Sequence, residues 1–366
     1  RRTAAQASAS LCWVRRWLVM ALARAWHRVA PGAVRQLRPS RSNNVTATAL
    51  SLGNRAWTAL PTQPQRCWKQ LSREAGASSV RCFAATAGPE LVEELPRDIG
   101  LHECTVRLYQ FESCPFCRKA RAALDYLNLP YSIIEVHPLN KEETKEIAPD
   151  YKKVPILEVV TPDGRHFQMR DSKTIVSALV RESSVTAKVP PPSSTKSTQK
   201  MWQSENEGTV EEQWLRWTDK VLVQCVVLNV YRNLTESAET FSYLLTHRGF
   251  SWWASRSAAW SGTVVMWAVA KSRKRKYGIA DERLALYESV DNFARAVEAG
   301  GGPFMAGVRP GSIDFNVYGI LRSSESCQTE RDLLRECNSI RPWFDAMVEA
   351  CGPSAAVNID DVQRGS

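Results

Sequence analysis

The segment "YQFESCPFCRKARAALDYLNLPY", residues 109–131, carries two cysteines separated by Pro115 and Phe116. Three chemistries use such a pair: a dithiol that cycles through a disulfide, a reactive thiol that engages a thiol peptide, and half of a metal site. An alternating apolar run precedes the pair and a helical pattern follows it, so Cys114 falls at or just before a first helical turn. There its thiolate would face unpaired N–H groups and the positive end of the helix, with Arg118 and Lys119 adding positive charge. A cysteine so placed drops from a pKa of about 8.5 toward neutrality or below. Pro115 suits the first helical position, where its missing N–H costs nothing. Cys117, one turn on and deeper, can resolve a mixed disulfide or hydrogen-bond the first sulfur. Zinc would need two more ligands, and the sequence offers no second C-x-x-C or His pair. Placement between strand and helix favours a reactive thiol over a purely structural pair.

The elements that must hold these cysteines are legible around them. "CTVRLYQF" alternates as a strand, and residues 115–128 form a helix with Phe116, Ala120, Ala123, Leu124 and Leu127 inward. "YSIIEVH" is a second strand and "KEETKEIA" a short charged helix. "VPILEVV" and "HFQM" are strands joined by "TPDGR", where Asp163–Gly164 reverses the chain. "RDSKTIVSALVRE" closes the unit as a helix capped by Asp171 or Ser172. The order β-α-β-α-β-β-α is the thioredoxin-like one.

Two stretches of this unit support thiol chemistry. "KKVPIL" puts Pro155 at the start of the third strand, where a thioredoxin-like fold has a cis proline beside its cysteines. Such a bond leaves the N–H and C=O of Val154 free to pair with an extended peptide such as glutathione. "RDSK" opens a helix at Asp171 and Ser172 whose free N–H groups can take a carboxylate, simple capping being their other role.

Five segments are expected along the chain. Residues 1–98 are a basic targeting arm with an unstructured lead-in. Residues 99–183 are the α/β thioredoxin/glutaredoxin-like domain, and 184–200 a linker rich in Pro, Ser and Thr. Residues 201–352 are all-α, and 353–366 a tail. Within the helical part, "EEQWLRWTDKVLVQCVVLNVYRNLTES" is expected as one helix, and "DERLALYESVDNFARAVE" is amphipathic through Leu284, Leu286, Tyr287, Val290, Phe293 and Val297. "WWASRSAAWSGTVVMWAVAKSRKRK" is expected as a core helix with a solvated cationic end, which the helix dipole favours. Docking on an anionic leaflet is the alternative for that stretch.

The net charge of +10 is concentrated at one end. Residues 1–73 hold thirteen Arg or Lys and no acid, leaving 35 basic against 38 acidic side chains in the remainder. The basic character therefore belongs to an arm and not to a folded surface that would grip nucleic acid. The arm is rich in Arg, Ala, Ser and Thr, as an organellar transit segment is, for a mitochondrion or plastid. Leu11, Val14, Leu18, Leu22, Ala25 and Val29 share one helical face of it, and membrane association is the alternative destination. The first residue is Arg1 and not Met, which leaves the completeness of the amino end open. Eight of the ten cysteines are scattered at unrelated spacings, which suits a reducing compartment.

Taken together, "LYQFESCPFCRKARAALDYLNLPYSIIEVHP", "YKKVPILEV", "RDSKTIVSAL", "GGPFMAGVRPGSIDFNVYGILR" and "IRPWFDAMVEA" resemble the membrane-associated prostaglandin E synthase type 2 family. The resemblance spans roughly residues 104–350. It implies an α/β thioredoxin-like domain followed by an all-α glutathione-transferase-like helical domain, usually as a homodimer. It also implies thiol-dependent isomerisation of prostaglandin H2, a lipid endoperoxide, to prostaglandin E2, with glutathione and in some states haem bound. Cys114 would be the catalytic thiol, Cys117 its neighbour, and Val154, Pro155, Asp171 and Ser172 the glutathione contacts. Peripheral membrane contact is compatible with this, and a nucleic-acid partner is not expected. A glutaredoxin-like oxidoreductase or glutathione transferase, and a non-catalytic haem- or glutathione-binding protein, are the alternatives. The sequence departs from the family pattern at Phe111, where the family has a tyrosine whose hydroxyl reaches toward the sulfur. It departs also at Gly311, where a capping side chain is common and Asp314 partly compensates.

Overall fold

The computed structural model describes residues 88–180, 188–202, 207–246, 249–325 and 327–358, which fall within one compact unit, Cys82–Ser366. The transit-like arm lies outside the described residues. An open mixed sheet comes first and a mostly helical region follows, a thioredoxin- and glutathione-transferase-like arrangement in general terms.

The sheet-bearing region runs β1 (Glu90–Leu91), β2 (Thr105–Gln110), α1 (Pro115–Tyr126), β3 (Tyr131–Glu135), α2 (Glu142–Lys145), β4 (Ile156–Val160), β5 (His166–Arg170) and α3 (Ser172–Leu179). The helical region runs α4 (Val210–Trp217), a π-turn (Thr218–Leu222), α5 (Val223–Val230), α6 (Leu234–Thr240), α7 (Tyr243–Thr246), α8 (Trp252–Tyr277), α9 (Glu282–Gly300), α10 (Ser312–Arg322), α11 (Gln328–Glu336) and α12 (Arg341–Cys351), then β6 (Ala356–Asn358). Strand order across the sheet is β1-β5-β4-β2-β3-β6. β2 pairs parallel with β3 and antiparallel with β4, so the crossover helix α1 lies over the sheet and starts where β2 ends.

Three expectations are corrected. The helix expected over 211–237 is broken: α4 passes through the π-turn into α5, which stops at Val230, and Asn233 caps a new helix at Glu236 N–H. Residues expected as lead-in and tail add β1 and β6 to the two edges of the sheet. The linker has no regular element among its described residues, but it is tied down. Trp214 Nε1 donates to Pro190 O at 2.9 Å, and Asn292 bonds Ser193 twice. Leu284, expected inward on α9, is half exposed, while Leu286, Val290, Phe293 and Val297 are buried as their period requires.

Asp314 does more than a cap. Its carboxylate accepts from Gly311 N–H at 2.9 Å, Met305 N–H at 3.0 Å and Trp343 Nε1 at 2.8 Å, pinning α10 to the loop before it and to α12.

Candidate active site

Cys114 is the N-cap of α1 and Pro115 its first helical residue, as the sequence predicts. Phe111 O accepts from Cys114 N–H at 3.0 Å, closing the turn that carries the sulfur from the end of β2 to the helix. The thiol of Cys114 is held below the ordinary cysteine range. The hydrogen bond from the Cys117 thiol is the largest cause, burial opposes it, and the N–H groups of Cys117 and Phe116 and the charge of Lys119 add to it. Cys117 is fully buried, and that burial together with donation to Cys114 pushes its thiol well up. The pair is therefore asymmetric, one sulfur set up as a thiolate and the other as its proton-bearing neighbour.

The two basic residues after the pair divide their roles, which the sequence does not show. Arg118 is committed elsewhere: Nε donates to Glu112 O at 3.0 Å, one terminal nitrogen reaches Glu325 at 2.8 Å, and the other pairs with Glu112. Lys119 supplies the positive charge near Cys114, although its side chain is only 1% exposed. Its Nζ lies 2.6 Å from Asp219 Oδ1 and 5.0 Å from the centroid of the Phe116 ring. Asp219 belongs to the π-turn, a kind of irregularity often found at functional sites. The close seating of α10 on α1 rests on Gly319, where a Cβ would stand 2.4 Å from both the backbone N and Cα of Lys119.

On the other flank the Val154–Pro155 bond is cis, as expected. The N–H and C=O of Val154 find no hydrogen-bond partner among the described residues. Asp171 caps α3, accepting from Lys173 N–H at 2.8 Å, and holds φ at 74°, a conformation uncommon outside glycine. Ser172 is buried at the first position of that helix. Tyr151 was not singled out from sequence. Arg170, paired with Asp150 at 2.7 Å, stacks 5.2 Å above its ring. The structure thus supports Val154 and the start of α3 as an edge open to an extended peptide.

Phe111 presents no hydroxyl and packs with Val154 and Tyr151 against a small apolar cluster of Tyr109, Val136, Ala148 and Ile156. Hydroxyls come instead from the helical region. Burial raises the phenols of Tyr231, at the end of α5, and Tyr243, in α7, and Ser113, the residue before Cys114, opposes the shift in both. The Glu135 carboxylate accepts from Glu112 N–H at 2.8 Å and Gln110 Nε2 at 3.2 Å. Burial pushes Glu135 up to about 7. A cavity of about 390 Å³ opens beside Ser113, walled largely by hydroxyls and by Glu112, Glu239 and Glu325, with Arg118 and Arg331. Nothing in this lining, where Glu112 and Glu325 pair with Arg118, points to haem.

Residues 108–185 match the model of the glutathione S-transferase N-terminal domain. Prostaglandin E synthase 2 of Mus musculus is 32% identical over 279 residues, covering 69% of this chain and 71% of that protein. This chain belongs to the prostaglandin E synthase 2 family. The Danio rerio protein of the same name is 32% identical over 272 residues, covering 66% of this chain and 70% of that one. Membership of an enzyme family gives the chain catalytic potential. Among solved structures, glutaredoxin 2 of Salmonella typhimurium, crystallised with glutathione, covers 68% of this chain and 94% of its own. Its 15% identity and TM-score of 0.39 are too low to bear on function.

Proposed function

We propose that this chain is a glutathione-dependent thiol enzyme with Cys114 as its reacting sulfur, and that it isomerises a lipid endoperoxide, prostaglandin H2 or a relative, to the hydroxyketone of the prostaglandin E2 type. The carrying observation is the lowered Cys114 thiol, held by Cys117 and Lys119 beside the unpaired backbone of Val154. In this reading the Cys114 thiolate attacks one peroxide oxygen; the S–O bond forms as the O–O bond breaks. The released alkoxide takes up a proton. Loss of the ring proton from the other carbon forms the ketone and expels Cys114 as thiolate, with no net oxidation. Bound glutathione supplies a second thiol at the same edge. Membrane contact, a homodimer and entry into an organelle through the basic arm belong to the same proposal.

One observation favours a second reading. The cavity beside Ser113 is polar, and the Cys117 thiol already bonds Cys114, which suits disulfide exchange on a hydrophilic thiol substrate. Product analysis by mass spectrometry separates the two. The wild-type chain and Cys114→Ser would receive prostaglandin H2 with reduced glutathione, and Cys117→Ser would be assayed for disulfide reduction in parallel. Prostaglandin E2 from the wild type but not from Cys114→Ser is the expected result. No product above the spontaneous background, with disulfide reduction lost in Cys117→Ser, would replace isomerase by oxidoreductase.

A further inference from the structure

The long helix α8 does not do what its composition predicts of a core helix. Its inward residues are small: Ser255, Ala258, Ala259, Thr263 and Ala270 are buried, and a Cβ on Gly262 would lie 3.0 Å from the Phe241 ring. Three of its large apolar residues face away. Trp253 is 76% exposed, Trp252 58% and Val265 56%. Trp253, Trp260, Val264 and Trp267 recur at the spacing of a single helical face, Trp253 exposed and the other three half-buried, and Lys271 and Arg275 continue that same face toward the carboxyl end.

That end opens into a recess of about 540 Å³ lined by Lys271, Lys274, Arg275, Gly278 and Ile279. Gly278, at φ 66°, terminates the helix there, and a Cβ on it would stand 2.9 Å from Lys200 Nζ, so a further ammonium reaches the rim. Lys274 is paired with Glu282 at 2.6 Å. Lys271, Arg275 and Lys200 have no acidic partner among the described residues. The helix dipole accounts for cations in a last turn, but not for Trp252 and Trp253 facing water.

We propose that the outward face of α8 and the basic recess at its end form a docking site for an anionic phospholipid surface. The indoles sit at headgroup depth, and the recess takes a lipid phosphate. Indole rings are enriched at that depth because they are apolar bodies with one N–H donor, and nearby cations gain from an anionic leaflet. The charge selects this occupant. Residues 252–277 contain six Lys or Arg and no acid. The basic arm of this chain, acid-free through residue 73, carries the same sign and is repelled. A second copy would bring the same positive face. No helix among the described residues is long and apolar enough to cross a membrane, so α8 lies along the surface.

Peptide-resolved hydroxyl-radical footprinting of the full chain tests this site, and does so independently of the chemistry at Cys114. The protein would be mixed with phosphatidylcholine vesicles, or with vesicles in which about one-third of the lipid is phosphatidylserine, at about 0.1 M salt. Oxidation of Trp253 and Trp260 should fall several-fold with the anionic vesicles only. The double variant Lys271→Gln, Arg275→Gln should weaken vesicle partition by about thirtyfold, about fivefold for each cation removed. Vesicle binding that leaves these indoles fully oxidised would assign docking to another part of the chain and overturn the proposal. Equal protection by neutral vesicles would also overturn it. So would protection that rises with protein concentration in the absence of lipid, because the face would then belong to a second copy.

Discussion

Replacing Asp219 by alanine leaves the Lys119 ammonium without its anion, in a place where its side chain is 1% exposed. Replacing Lys119 by methionine leaves Asp219 without its cation, but Asp219 is 46% exposed and stays hydrated. The two halves of one 2.6 Å ion pair should therefore differ greatly in cost. Removing one partner of a buried pair costs about 3–5 kcal/mol when the other charge is stranded. Asp219→Ala should lose about 3 kcal/mol, the low end, because the Phe116 ring 5.0 Å away retains some stabilisation of the cation. Lys119→Met removes the charge, keeps an apolar stem, and should cost within about 1 kcal/mol. Urea denaturation reads the difference: with a slope of about 2 kcal/mol per molar, the two midpoints should lie about 1 M apart. The asymmetry has a pH signature. Burial lowers the Lys119 pKa in the folded state, so the stranded charge destabilises fully below that pKa and is relieved as pH rises toward the unfolded value. The Asp219→Ala deficit should shrink between neutral pH and about pH 10. Equal costs for the two variants, or a deficit independent of pH, would refute the assignment of Lys119 as a buried cation.

Three further outcomes are expected. Cys117→Ser should raise the pKa of Cys114, because the thiol that donates to it becomes a shorter hydroxyl, and Lys119→Met should raise it also. Iodoacetamide alkylation of Cys114 followed against pH would show each curve displaced upward, and an unshifted curve in both would count against the geometry. Gly319→Ala should cost about 3 kcal/mol or more in thermal or urea unfolding, since its Cβ would meet the α1 backbone at 2.4 Å and neither helix can yield alone. Glu135→Gln should stabilise the protein at pH 8 and leave it little changed near pH 4. The folded carboxyl, raised to about 7, contributes stability that is complete below the unfolded value and lost as pH rises through 7. Thermal melts across that range should flatten in the variant.

Much of the sheet-bearing region was legible because its signals are local. The strand–C-P-F-C–helix order, the Asp163–Gly164 reversal and the Asp171 cap each depend on a handful of neighbouring residues. The helical region was less so. The period of residues 211–237 is continuous, and nothing within it announces a π-turn at 218–222 or the stop at Val230. Exposed Trp252 and Trp253 look in sequence like core residues, because hydrophobicity marks what can be buried and not what is.

The sequence by itself determined that a low-pKa thiol would begin a helix, since an N-cap cysteine followed by proline faces unpaired N–H groups wherever the helix lies. It also placed a cis proline after Val154 and a cap at Asp171. Tertiary structure alone decided which charge serves that thiol. Arg118 and Lys119 are adjacent in sequence, yet one turns to Glu112 and Glu325 while the other is sealed against Asp219, a hundred residues away. Tertiary structure also put Tyr243 in the wall of the cavity beside Ser113, while Phe111 offers no hydroxyl. Local propensities act over a few residues, whereas burial and ion pairing depend on which distant surfaces meet, and here Gly319 is what lets α10 and α1 meet closely enough.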